Sequence, residues 1–309
     1  MYKKKDPSLP TVSVVTPAYN QADFLRETIE SVLSQDYPNI EYVVLDDGST
    51  DETPEILAEY GERFVWETQA NMGQTATIQK GWDMTSGEVV AWLNSDDTYL
   101  PGAVRKAVDH LLANPKTDIV YGKSLFTEAD GTPLSESEDQ PQFDYFRFVR
   151  NCENRVAQPS TFIRRAAIDR AGGLDAKFFY TMDWDLWLRC GLTSKIEYTD
   201  ELWSTYRLHA QSKTVAQAVR AVPELEYMYD KFFCRTDIPT EIRKLESEAM
   251  MNMSFTQAMY LANAGQRWQS LKRATRAFRF NTLGMLSITN IRKYLYILTK
   301  AGPSGEAVR

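Results

Sequence analysis

Over the first 121 residues, short β-branched runs alternate with stretches whose apolar residues recur at helical spacing. Residues 12–16, 42–45, 64–66, 88–93 and 118–121 read as strands. Between them, residues 23–33, 53–60, 74–84 and 103–113 read as helices, with Leu25, Ile29, Val32 and Leu33 on one face of the first. This rhythm predicts an α/β fold: a Rossmann-like, mostly parallel central sheet with helices on both faces. In such a sheet ligands bind beyond the carboxyl ends of the strands, so chemistry is sought there.

The remainder reads differently. Residues 128–142 are rich in Asp, Glu, Ser, Pro and Gly and predict a loop, and residues 143–149 are aromatic. Strands are expected at 157–165 and 196–207, and a helix from Asp183. Past about residue 214 the pattern becomes helical, at 216–231, 241–262 and 267–280. A boundary near Val215 therefore separates residues 1–215 from a C-terminal helical region, 216–309. In the segment 267–280, Trp268, Leu271, Ala274, Thr275 and Phe278 share one face, and Lys272, Arg273, Arg276 and Arg279 the other.

Charge is unevenly spread. Residues 264–309 hold nine Lys/Arg against the single acid Glu306, so they carry +8 and the preceding residues −15 of the net −7. An acidic body does not suit nucleic acid, while the basic tail suits peripheral contact with an anionic membrane surface. Packing against the body accounts for the tail equally. The polar N-terminus predicts no signal peptide, and no run reaches the ~18 apolar residues that span a bilayer. Three widely spaced cysteines, Cys152, Cys190 and Cys234, suggest reduced thiols and a cytoplasmic setting.

Several strand ends carry unusual polar groups. The first leads into Thr16-Pro17-Ala18-Tyr19-Asn20, where Tyr19 offers a face for a base. The second ends in Asp46-Asp47-Gly48-Ser49-Thr50-Asp51, and the fourth in Asn94-Ser95-Asp96-Asp97. Adjacent carboxylates repel unless a donor or a cation binds them. Each also suits a turn with a capping Asp. Asp183, in Asp183-Trp184-Asp185, falls in the first turn of a helix, where it serves either as an N-terminal anion or as a general base. His209, one of two histidines, suits a metal ligand or an ordinary surface position.

Together these segments resemble glycosyltransferase family 2, inverting nucleotide-sugar transferases of the GT-A fold. The resemblance spans about residues 11–213 and adds Ser31-Val32-Leu33-Ser34-Gln35, Asn71-Met72-Gly73, Gly172-Gly173-Leu174-Asp175 and Tyr206-Arg207-Leu208-His209, in the family's order. It implies that Thr16, Pro17, Tyr19, Asp47, Gly73, Gln74 and Asp96 bind the nucleotide sugar, with Asp47 on a pyrimidine imide. It also implies that Asp96, Asp97 and His209 hold Mn²⁺ or Mg²⁺, and that Asp183 is the catalytic base. A UDP- or dTDP-type donor and a glycan or lipid-linked acceptor follow as expected partners. Two positions depart from the pattern: Asn94 stands in the first acidic slot of the metal motif, and Met182 in place of the Glu that commonly precedes the base. A nucleotidyltransferase would need a Gly-rich, basic phosphate loop after the first strand, and residues 16–23 contain neither glycine nor a base. A non-catalytic sugar- or nucleotide-binding module would have no use for Asp183.

Overall fold

The computed structural model describes residues 5–137, 142–210, 212–213, 217–285 and 287–300. The chain divides into two compact units, Met1–Phe143 with Arg155–Ser212, and Asp144–Asn154 with Lys213–Arg309. The boundary expected at Val215 lies outside the described residues.

One nine-stranded sheet organises the first unit. Strands β1 (Val12–Ala18), β2 (Ile40–Asp46), β3 (Val65–Thr68) and β4 (Val89–Trp92) run parallel in the order β3-β2-β1-β4. β1 is buried along its whole length, which is why it reads as a continuous run rather than an alternation. On one face, α1 (Ala22–Leu33), α2 (Thr53–Tyr60) and α4 (Ala103–Ala113) set Leu25, Ile29, Leu57, Val104 and Val108 against Val14, Val44 and Ala91. α3 (Gln74–Asp83) packs on β1 so closely that a Cβ on Gly81 would collide with Val15. Strand order reverses at β1, and the crevice beyond β1, β2 and β4 is the expected ligand position.

Past β4 the sheet is mixed. β8 (Thr161–Arg164) runs antiparallel between β4 and β6 (Ile119–Thr127). β9 (Ile196–Arg207) is parallel to β6, and β5 (Thr98–Tyr99) antiparallel to β9. Residues 133–136, expected within a loop, form an exposed edge strand β7 (Pro133–Glu136) on β6. Its polar sequence follows from having no apolar face to cover, and Gly131 (φ 85°) supplies the reversal. α6 (Arg165–Ala171) and α7 (Met182–Cys190) complete this unit.

The second unit is helical: α5 (Tyr145–Asn151), α8 (Ala221–Phe233), α9 (Thr240–Arg243), α10 (Glu246–Asn263), α11 (Arg267–Phe280), α12 (Thr282–Met285) and α13 (Ile288–Lys300). Met251, Phe255, Ala258, Ala274, Ala277 and Ile297 form a core between α10, α11 and α13. Of the α11 face Trp268, Leu271, Ala274, Thr275 and Phe278, Ala274 is buried in this core and Leu271 packs against it, while the two aromatics lie outside it. Ser270, Ala274 and Ala277 pack inward, while Trp268 is 83% exposed and Phe278 is exposed. Small side chains let α10 and α11 approach closely, and that approach rotates the aromatics outward. Among the described residues no helix is long and apolar enough to cross a membrane.

Candidate active site

The loops leaving β1 and β2 are tied to each other. Asn20 N–H donates to Ser49 Oγ (2.9 Å), and Thr50 N–H donates to Asn20 Oδ1 (2.8 Å). Asp51 caps two helices at once, accepting from Ala22 N–H (3.0 Å) at α1 and Thr53 N–H (3.1 Å) at α2. Its burial opposes ionisation, but these N–H donors outweigh it and hold the carboxyl below its usual range. Gly48 turns the chain at φ 80°, where any side chain would also crowd Asn71 N and Gln69 O. Thr16 and Pro17 are buried at the end of β1, with Thr16 Oγ1 bonded to Tyr42 Oη (3.1 Å). Tyr19, half exposed, projects from this platform.

Asp47 is buried and heavily used. Met72 N–H (2.8 Å) and Gln69 Nε2 (3.0 Å) donate to Oδ1, and Gly73 N–H (2.9 Å) donates to Oδ2. The carboxylate thereby pins the 69–73 loop that leads into α3. A carboxylate offers about four acceptor sites, so one remains beside these three donors.

Gln74, the first residue of α3, donates to Asn94 Oδ1 (2.8 Å) past the end of β4. Asn94 Nδ2 in turn donates to Asp97 Oδ2 and Gln158 Oε1, both at 3.1 Å. The second and fourth strand ends are thus joined by one polar chain, Asp47–Gly73–Gln74–Asn94–Asp97. Asn94, the departure from the acidic pattern, is what this chain needs: an amide both accepts and donates, which a carboxylate cannot do.

The two neighbouring aspartates have opposite surroundings. Asp97 is 2% exposed, and its other oxygen accepts Arg207 N–H (3.0 Å). Burial, then the adjacent Asp96 charge, pushes its carboxyl well above the usual range. Asp97 was expected as a metal ligand. Each of its oxygens takes one donor, from Asn94 Nδ2 and Arg207 N–H, which braces the motif and leaves further acceptor sites on the carboxylate. Asp96 Oδ2 lies 3.0 Å from His209 Nε2, with Phe24 tilted against the imidazole at 4.7 Å between centroids. Two ligand atoms at right angles, each about 2.1 Å from a hard divalent ion, are about 3.0 Å apart, so the pair fits such an ion. Among the described residues no cluster of three His, Cys, Asp or Glu could hold a metal. Further ligands would therefore come from phosphate oxygens and water.

The sequence assigns no role to Arg207 beyond its place in the Tyr206–His209 motif. Its backbone N–H holds Asp97, Nε donates to Asp96 O (3.1 Å), Nη1 donates to Ala129 O (2.6 Å), and Nη2 pairs with Glu27. An arginine near the end of an otherwise uncharged half-strand was the available signal.

α7 is fitted to this assembly by packing. Trp187 stacks on Trp92 (5.9 Å, 19°), the last residue of β4, two before the acidic motif. Thr75 Oγ1 contacts Met182 Sδ (3.1 Å) next to Gly73 and Gln74. Asp183 sits partly exposed in the first turn of α7, and Asp185 is buried and bonded to Arg189 (Nε–Oδ2 2.8 Å). The two carboxylates of this motif therefore have separate environments, one partly exposed and one buried.

A sequence profile for glycosyl transferase family 2 matches residues 13–173, about half of the chain and all of the β1–β2–β4 crevice. The chain belongs to glycosyltransferase family 2. An uncharacterized glycosyltransferase of Rickettsia prowazekii is 27% identical over 260 residues, 82% of this chain and 78% of that protein. A Bacillus subtilis protein named for teichuronic acid biosynthesis is 35% identical over 137 residues, 43% of this chain and 54% of that protein. Among solved structures, Staphylococcus aureus TarS 1–349 in complex with UDP superposes with TM-score 0.66 at 16% identity, covering 93% and 90% of the two chains. The Pyrobaculum calidifontis mannosyltransferase PcManGT, in complex with GDP-Man and Mn²⁺, gives TM-score 0.59 at 18% identity, covering 95% and 86%. These likenesses show the GT-A fold for this family 2 member.

Proposed function

We propose that this family 2 glycosyltransferase moves a sugar from a nucleotide-diphosphate donor, UDP- or dTDP-type, to an acceptor hydroxyl with inversion at the anomeric carbon. The Asp96–His209 pair, 3.0 Å apart beyond the end of β4, carries the reading, because two hydrogen-bonding side chains at that separation beside a braced acidic motif would suit a divalent ion. Mn²⁺ or Mg²⁺ held by Asp96 and His209 would neutralise charge growing on the leaving diphosphate.

The chain's own groups supply the rest. Tyr19 offers its face to the base, beside buried Thr16 and Pro17, and the remaining acceptor site of Asp47 takes the imide N–H. Gly73 and Gln74 open α3, whose N-terminal end favours negative charge, and they line the path of the diphosphate. Asp183 is partly exposed in the first turn of α7, where a helix N-terminus favours negative charge, and it serves as the base that takes the acceptor hydroxyl's proton. The acceptor oxygen then bonds to the anomeric carbon as the bond from that carbon to the diphosphate oxygen breaks on the opposite face. Asp185 has no such role, since Arg189 claims it. Assembly of a cell-surface polysaccharide, glycan or glycolipid is the proposed setting, supported by the relative named for teichuronic acid biosynthesis.

Asp183→Asn tests the assignment. Transfer falls at least 100-fold while nucleotide affinity changes less than threefold. Parallel loss of both, or retained transfer, contradicts it.

A further inference from the structure

The transfer chemistry leaves one strongly charged feature unexplained, a groove of ≈ 640 Å³ within the helical unit. Val222 of α8 and Leu261 of α10 supply its apolar lining, and α11 lines one side with Lys272, Arg273, Arg276 and Arg279. Glu226 of α8 is the only acid among the lining residues. It binds Arg273 (2.7 Å) and Arg276 together. Four cations against one carboxylate leave three positive charges uncompensated within the lining.

The arrangement is more than a solvated face. Glu226 fixes two guanidinium groups, which are then oriented before any ligand arrives. Lys272 and Arg279 are exposed on the same helix, and among the described residues their side chains make no hydrogen bond or ion pair. Trp268 and Thr275, grouped with the opposite face by the apolar pattern, lie by helical spacing in one stripe with Lys272 and Arg279, across the helix from the buried Ser270, Ala274 and Ala277. Trp268, 83% exposed, tops that stripe, and an indole so placed is typical of a water–lipid boundary.

We propose that this groove binds the phosphate group of a phosphate-bearing ligand, with Lys272 and Arg279 as capturing cations and Arg273 and Arg276 as the preset fork. Phosphate suits the site because guanidinium groups meet its oxygens with paired N–H donors. The exposed Trp268 beside these cations favours an anionic phospholipid headgroup as its source, over a soluble phosphate. The inference stands apart from the donor site and does not depend on which sugar is moved.

Vesicle flotation of the full chain tests it, comparing phosphatidylglycerol/phosphatidylcholine vesicles with phosphatidylcholine alone, each with and without inorganic pyrophosphate. Binding to the anionic vesicles alone, weakened by salt, supports the lipid source. Lys272→Gln/Arg279→Gln then lowers apparent affinity roughly 30-fold, at about one charge's worth of membrane attraction per residue. Lys106→Gln in the first unit leaves it within threefold. If calorimetry detects pyrophosphate binding that the double variant abolishes, with no vesicle binding, the site stands and its ligand is soluble phosphate. The proposal is overturned if neither vesicles nor pyrophosphate bind, or if the double variant binds like the parent. Unchanged far-UV circular dichroism of the variant separates loss of the site from loss of fold.

Discussion

Asp47→Asn asks whether the second acidic motif builds the site or merely touches ligand. In the parent, Oδ1 takes Met72 N–H and Gln69 Nε2, and Oδ2 takes Gly73 N–H. Asparagine retains the first oxygen but turns an amide donor toward Gly73 N–H. One bond to an ionised acceptor is lost, worth about 1.5–3 kcal/mol, and two donors are left facing each other. Asp47 is 3% exposed, so water does not readily replace the partner. We therefore expect a loss of about 2–3 kcal/mol, or about 4–10 °C in melting temperature. The assay is urea unfolding without nucleotide. The midpoint falls and the slope is unchanged, since the native state stays equally compact. Nucleotide affinity falls as well, because the 69–73 loop loses its anchor. Unfolding within about 0.5 kcal/mol of the parent, with nucleotide binding lost, refutes the reasoning: the carboxylate would then serve the ligand alone.

Arg189→Ala leaves the buried Asp185 carboxylate without its counter-charge and destabilises by about 3–5 kcal/mol, measured by the same unfolding assay. Glu197 adds a pH signature. Burial opposes its ionisation, but donors from Lys195, Thr117 and His110 outweigh it and bring its pKa down to about 2. A depressed carboxyl stabilises the fold above its ordinary range near 4.3, and that contribution is lost as pH falls toward about 2. Glu197→Gln should flatten the decline in stability over this window, and an unchanged slope counts against the assignment.

The parallel half of the fold was legible because buried strands and amphipathic helices leave strong periodic marks. Residues 103–113, 196–207 and 267–280 were bounded as the structure has them. β7 was hidden because an edge strand exposed on both faces needs no apolar residues. The outward turn of Trp268 and Phe278 was hidden for a related reason: helical periodicity names two faces but not which one a neighbour with small side chains will cover. At the site, residue types were readable and their division of labour was not. Asp96 and Asp97 are adjacent in sequence, yet one meets His209 while the other is sealed beneath Arg207, and only tertiary contacts separate them.

Calorimetric titration of UDP, dTDP and GDP, with and without Mn²⁺, into the parent and into Asp96→Ala and His209→Ala, bears most directly on the donor site. At least one nucleotide should bind the parent at least tenfold more tightly with Mn²⁺, and that gain should vanish in both variants. A Mn²⁺-dependent gain that survives in both, or no binding of any of the three to the parent, would contradict the assignment.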